Sequence, residues 1–504
     1  MKKLISIILL IAIISGILIS CGNKNESEKT GDKGDDNIQA TQNNQTGEET
    51  NTPAQEKIKP DLPEMDLKGY TFTFFAHRID YAGDWVGDGD PREIVAEMQD
   101  GKEVANSEPI NDAVYKRNLA IKEKYNIDIR MLTNSDDVGT LRKAVKAADS
   151  IYDAAVIFNN LVPGVVTANL LVNLEELNYI DLDKPWWDPA VKSMSIANQN
   201  YLMAGDLLIL DNEATTGIIF NKDLMAQLGI DLPYEMVKTG KWTMDAMNNI
   251  IKDTAMDLNG DGKMNKEDRW GFSVSTDTLH ALLVSGGGSL ATKDADDIPY
   301  MCFTNEKNMA IINKAMDLMY NPEYVINVHG KDIEFPAYTM FEENKFVFMW
   351  MRMRVVERFR GMEANFGIIP MPKFDEAQEK YYSVVNPYTG VLLGVPKSAE
   401  DLDRVSIILE ALSAESTNTL QTAYYDVALQ RKYTRDNESS EMLDIIFGSR
   451  VYDIGGVYSF GNVFIDFIEL SRKNDRNVMS YYDKKIGAME KSINKVVDAF
   501  RSMD

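Results

Sequence analysis

The order of apolar and polar positions divides this 504-residue chain into segments of different character. After two lysines, Leu4 to Ile19 is an almost unbroken apolar run, and Asn23 to Lys59 is then polar, with two isolated isoleucines and no aromatic residue. Beyond that point strand-like and helix-like patterns alternate. YTFTFFA (70–76) alternates aromatic and threonine positions and predicts a strand. Ile110, Val114, Ile121 and Tyr125 fall on one stripe of a helix whose other face is charged. IDIRML (127–132), the helical DVGTLRKAVKAAD and DAAVIF (153–158) follow, an order that predicts parallel sheet with covering helices. Further strands are predicted at TTGIIFN (215–221), WGFSV (270–274), FVFMW (346–350), FGIIP (366–370) and GVLLGVP (390–396), and the chain past Arg404 reads as mostly helical. No internal repeat stands out.

The basic start, apolar middle and small residues before Cys21 form a secretory signal over 1–20. Leu18-Ile19-Ser20-Cys21 resembles the lipobox of bacterial lipoproteins, which implies acylation of Cys21 (palmitate) and anchoring on the extracellular face of the cell membrane. A simple membrane anchor or an ordinary signal is the alternative. Residues 21–61 cannot bury enough apolar surface to offset their ordering entropy, and read as a disordered tether. About 40 flexible residues reach roughly 35 Å. The rest, about 440 residues, is too long for one core and suits two lobes. The formal charge is −25, from 78 acidic and 53 basic residues, without a basic stripe, which argues against a nucleic-acid partner. Apart from Cys21 the chain holds only Cys302, so no internal disulfide forms, and its three histidines lack the spacing of a zinc site.

Several stretches, in order, resemble the extracellular solute-binding proteins of ABC importers, in the sugar-binding group related to maltose-binding protein. They are YDAAVIFNN, NLEEL followed by PWWD, GIIFNKDLMAQLGID, KWTMDAMNNIIKDT (with Trp242-Thr243 in the reverse of the usual order), FEENKFVFMW and FGIIPMPKFDEAQEKYYS, together covering most of 66–430. The resemblance implies an α/β fold, type II periplasmic-binding-protein-like, with two α/β lobes and a hinged ligand cleft. Lobe 1 would take 62–211 with about 391–435, and lobe 2 would take 212–390 with about 436–504. The crossings would lie near Asp211–Thr215 and Val391–Pro396. The implied function is capture of a carbohydrate, an oligosaccharide, by a monomer that delivers it to an ABC permease without covalent chemistry.

A sugar cleft needs aromatic faces and a few polar groups at strand ends. The loop after the first strand offers His77, Arg78, Tyr81, Asp84 and Trp85. By resemblance, Asn159 and Asn160 follow the strand where the family often has a ligand contact, and Trp350 matches a stacking tryptophan. Arg352 lies two residues on, on the same strand face. Asp211, Asn212 and Glu213 sit at the first crossing and Tyr388 ahead of the second. Trp186, Trp187, Tyr458 and Phe460 are weaker candidates, with core positions as the alternative. A secreted glycan hydrolase is the enzyme alternative, but no G-x-S-x-G, H-E-x-x-H or P-loop pattern appears, and SGGGS (285–289) reads as a turn.

Residues 257–268, DLNGDGKMNKED, place oxygen donors at the first, third, fifth, ninth and twelfth positions and glycine at the sixth. Hard oxygens around a sharp turn suit Ca²⁺. The expected ligands are Asp257, Asn259, Asp261, the carbonyl of Lys263, Asn265 and Asp268. Asp at the twelfth place resembles dockerin loops, but those work in tandem, and here one loop lies between a predicted helix and strand. A sensor moves two paired helices apart. A structural staple is therefore expected, with a metal-free turn as its alternative and a calcium-dependent surface interaction protein as a third reading of the whole chain.

Overall fold

The computed structural model describes residues 59–78, 91–328, 336–425 and 437–503. The leader, the tether, Cys21 and the loop residues Tyr81, Asp84 and Trp85 lie outside the described residues. Among the described residues, no helix is long and apolar enough to cross a membrane.

Within the unit Lys59–Asp504 the strands sort into two main sheets. The first runs Val391–Gly394, Ala154–Phe158, Tyr70–His77, Ile127–Asn134 in spatial order. Its last three strands are parallel, with Tyr70 opposite Ile127 and Phe74 opposite Ala154, while Val391–Gly394 runs antiparallel with Val391 opposite Phe158. The second sheet runs Val325–Asn327, Trp270–Val274, Phe346–Arg352, Thr216–Asn221, Phe366–Ile369. Trp270–Val274 is parallel to both its neighbours, and Thr216–Asn221 is antiparallel to both of its own. All six residues of Thr216–Asn221 are buried, which fits its near-continuous apolar sequence and a sheet covered on both faces.

Local signals set the helix ends. Pro109 begins the Pro109–Tyr125 helix, the Glu108 carboxylate accepts the Asn111 N–H, and Asn126 closes it in the left-handed region at φ 51°. Thr243 caps Met244–Ile251 by accepting the Ala246 N–H at 3.1 Å. The inverted Trp242-Thr243 order is thereby explained: Thr243 caps, while the buried Trp242 donates its indole N–H to the Pro370 carbonyl at 2.9 Å. The C-terminal helix Val478–Arg501 packs on Val162–Thr167, which follows a first-sheet strand, and also on the hairpin strand Pro299–Met301.

One expectation needs correction, and two readings left open by the sequence are decided. Val391–Pro396 is not a crossing, because Val391–Gly394 is a strand of the first sheet. The chain crosses just before it: Val385 is bridged to Thr215, and Asn159 N–H reaches the Gly390 carbonyl at 3.0 Å. Trp186 and Trp187 are both core. Their indole N–H groups donate to the two oxygens of one carboxylate, Glu410, at 2.9 and 2.7 Å. Tyr458 and Phe460 are buried and stacked on each other, with ring centroids 5.6 Å apart.

Glutamine in place of Glu410 would present one acceptor and one amide donor to two indole donors. Glu410→Gln is expected to lower the unfolding free energy by about 1–3 kcal/mol, measurable as a shifted denaturant midpoint. An unchanged midpoint would show that the paired indoles do not need the second carboxylate oxygen.

Candidate functional site

The carboxyl ends of the parallel strands of both sheets converge on the crossing segments. From the first sheet, Phe158 leads into Asn159, and His77 ends Tyr70–His77. From the second, Val274 leads to Asp277 and Phe346–Arg352 ends in Trp350 and Arg352, paired with Ile218 and Thr216. The crossing joins these edges through Asn386, whose N–H donates to the Ala214 carbonyl at 3.0 Å and whose Nδ2 donates to Asp277 Oδ2 at 3.0 Å.

Asn159 is fully buried, and neither its amide nitrogen nor its amide oxygen has a protein partner. Its neighbour must be glycine, because a Cβ on Gly390 would lie 2.6 Å from Asn159 Nδ2. Asn160 is exposed. Trp350 is half-buried with an unpartnered indole N–H. Arg352 shares its strand face and is buried, while Met351 between them points the other way into the core. Tyr388 is 40% exposed, its ring 5.5 Å from Phe464 at an interplanar angle of 28°. Beneath it, Phe464 meets His280 edge-on at 5.0 Å, and His280 Nε2 sits 2.8 Å from Asp453 Oδ2. His77 is turned to its own sheet, with Nδ1 2.6 Å from Asp137 Oδ1.

Asp211 and Glu213 occupy the short Leu210–Ala214 helix at the crossing, and their carboxylates are engaged. Glu213 pairs with Arg92 and with Arg354, both at 2.5 Å, and Arg92 also reaches Glu357 at 2.6 Å. Asp211 lies 3.4 Å from both Arg450 Nη1 and the Tyr452 hydroxyl, which donates to it. Asn212 accepts from Arg450 and donates to Gln421 Oε1 at 2.9 Å. These three residues tie the crossing together. Asn386, Asp277, His280 and Phe464 were not anticipated. The NPYTG turn was the one local hint, since Asn386 Oδ1 accepts the Tyr388 N–H there, whereas the other three are united only by packing.

The 257–268 loop is wound by its own side chains. Asp257 accepts the N–H groups of Gly260 and Gly262 at 2.7 and 2.8 Å, which holds its carboxyl below the usual range. Asn259 and Asp261 accept from Asp261 and Lys263. Asp268 is buried and accepts from Leu258 and Asn265 at 3.0 and 2.8 Å. Among the described residues no three His, Cys, Asp or Glu side chains converge as a metal group. The donors nonetheless suit a hard cation, since the set also includes amide and carbonyl oxygens and each carboxylate oxygen keeps a second lone pair.

Similar architecture occurs in solved structures. A cyclo/maltodextrin-binding protein complexed with maltotetraose matches with a TM-score of 0.52 and 11% identity, over 89% of this chain and 98% of that one. UspC of M. tuberculosis matches at 0.51 and 13%, over 85% and 100%. The ABC substrate-binding protein Lmo0181 from Listeria monocytogenes, in complex with cycloalternan, matches at 0.50 and 12%, over 85% and 98%. The chain has the type II solute-binding-protein fold. At 11–13% identity the likeness is one of fold. No family model and no curated protein matches the sequence. The crossing of this fold is braced by ion pairs.

Removing Glu213 takes the carboxylate from Arg354 and leaves Arg92 with Glu357 alone. Glu213→Ala is expected to cost about 3 kcal/mol of stability, seen as a lower denaturant midpoint. A loss under about 0.5 kcal/mol would mean that the pairs are as weak as exposed ones.

Proposed function

We propose that this protein is a lipid-anchored, extracellular solute-binding protein that captures a carbohydrate, specifically an oligosaccharide, and delivers it to an ABC permease. The observation that carries the reading is the set of groups at the crossing. Trp350 with an unpartnered N–H, the exposed Tyr388 on its Phe464 support and the orphaned amide of Asn159 lie where the carboxyl edges of both sheets converge. Aromatic faces suit the C–H surface of a sugar, and amide and indole groups suit its hydroxyls. Arg352 joins this set, while Asp211 and Glu213 support it from the crossing. Anchoring through Cys21 rests on the leader sequence. The hydrolase alternative requires two carboxylates placed across a sugar, and those of Asp211 and Glu213 are held by arginines and a tyrosine.

The test is thermal unfolding against a panel of sugars that includes maltotetraose. A ligand at 100 times its dissociation constant adds about 2.7 kcal/mol. Tyr388→Ala should weaken binding by about 1–2 kcal/mol without lowering the ligand-free midpoint by as much, whereas Trp350→Ala should weaken both, because Trp350 packs against the core. A sugar that is consumed would favour the hydrolase, and a panel without any shift would sink the carbohydrate reading.

Calcium is proposed as a structural staple of the 257–268 loop, held by Asp257, Asn259, Asp261, the Lys263 carbonyl, Asn265 and Asp268. The loop leads directly into Trp270–Val274, and the Trp270 indole N–H donates to the Asn265 carbonyl at 2.9 Å. Extracellular modules of this type bind at roughly 10⁻⁴–10⁻³ M. Millimolar calcium should raise the midpoint of the native chain, chelator should reverse the rise, and Asp261→Ala should abolish it. Equal midpoints with calcium and with chelator would remove the metal from the account.

A further inference from the structure

An ionic junction gathers acids and arginines at the crossing. Glu213, Glu357, Asp211 and Asp188 are in contact with three arginines, Arg92, Arg354 and Arg450. Two further acids lie inside the same region. Asp206 accepts the Thr417 hydroxyl at 2.6 Å and has Arg450 and Asp188 as its charged neighbours. Glu93 is fully buried, and apart from its own backbone N–H its carboxylate oxygens have no hydrogen-bond partner. Its charged neighbours are Arg92, already committed to Glu213 and Glu357, then Glu213, Asp211 and, behind it, Arg117. Arg117 is itself held by the Ile94 carbonyl, Ser416 and Asn118. A buried carboxylate with no partner beyond its own backbone is too costly to stay ionised when it can be neutralised. A proton neutralises it.

The junction also joins the two halves of the fold. Ile94, next to Glu93, lies in the core of the first sheet, whereas Arg354 and Glu357 belong to the segment Met353–Gly361 that leaves the second. Between them stands the crossing helix Leu210–Ala214.

We propose that the crossing is a proton-linked latch, in which Glu93 takes up a proton when the two halves are seated as in this structure and releases it when the junction opens to water. Burial pushes Glu93 and Asp211 up to about 7 and Asp206 up to about 6, with Arg92 and Arg450 only partly opposing it. An acid whose pKa is raised by folding supports the seated form fully below its ordinary pKa. That support is lost as pH rises toward about 7, the value in the seated form. Acidification should therefore tighten the junction and alkaline pH should loosen it. The inference uses the crossing alone and does not depend on which solute is bound.

The experiment uses the ligand-free chain from residue 22 onward, with Glu93→Gln and Asp211→Asn beside it, between pH 5.5 and 8.5. Gln and Asn match the neutral acid in shape. The native chain should gain about 2–5 °C in midpoint on acidification across this range. Glu93→Gln should begin near that gain at pH 8.5 and respond much less to pH, and Asp211→Asn should show a smaller effect of the same sign. The radius of gyration from X-ray scattering should be larger at pH 8.5 than at pH 6 for the native chain and constant for Glu93→Gln. Difference titration of native against unfolded chain should find about one proton fewer taken up by the native form of Glu93→Gln than by that of the unsubstituted chain below pH 7. Equal pH slopes in all three proteins, a radius independent of pH, or equal proton uptake would each overturn the latch. Failure of every sugar to bind would leave it standing.

Discussion

Glu213 stands between Arg92 and Arg354, 2.5 Å from each, with its side chain 2% exposed. It belongs to neither main sheet, yet the relation between them passes through it. A carboxylate withdrawn this far from water is tolerated only when its charge and lone pairs are met, and a single arginine would leave part of that requirement open. Burial of such a network is weak evidence for extra stability, since an apolar replacement of similar volume can be as stable. It does, however, specify geometry. Arg92 reaches Glu213 and Glu357 only when the first-sheet core around Ile94 and the segment after Phe346–Arg352 are in register.

From that constraint the rest of the site follows. Strands in parallel sheets point their carboxyl ends the same way, so a crossing that joins two such sheets brings both sets of ends together. Asn159 arrives from one edge, Trp350 and Asp277 from the other, and Asn386 links the crossing to the second edge by bonding Ala214 and Asp277. Tyr388 is presented rather than buried because Asn386 accepts its backbone N–H while Phe464, braced by His280 and Asp453, lies under its ring. The same region thus combines a rigid aromatic platform, unpartnered polar atoms and buried ion pairs.

The Asp257–Asp268 loop acts at the opposite end of the second sheet. Asp268 is buried beside the first residue of Trp270–Val274, and Met256 pairs with Arg269 to close the loop's base.

Local pattern was enough for the elements themselves. Alternating or continuous apolar runs bounded by turn residues located all nine strands of the two main sheets except the short Val325–Asn327, and the cap at Thr243 fits its residue type, whereas that at Glu108 does not. The calcium-type spacing and the aromatic and amide residues at strand ends were equally legible, because each depends on neighbours a few positions away. Direction, pairing and burial of charge were not. Val391–Gly394 reads as a strand, but nothing within it says that it lies antiparallel to Ala154–Phe158 rather than crossing between sheets. Trp186 and Trp187 read as candidates for a cleft until Glu410, more than two hundred positions on, is seen to accept from both. Asp211 and Glu213 read as ligand contacts because polar residues at a crossing can face a cleft or an ion pair. Which they face is decided by where Arg92, Arg354 and Arg450 are carried by the fold. The sequence determined where the chain would extend, coil and turn. Only the tertiary structure decided which charges meet, because the energy of a buried charge depends on partners that are distant in the chain and close in space.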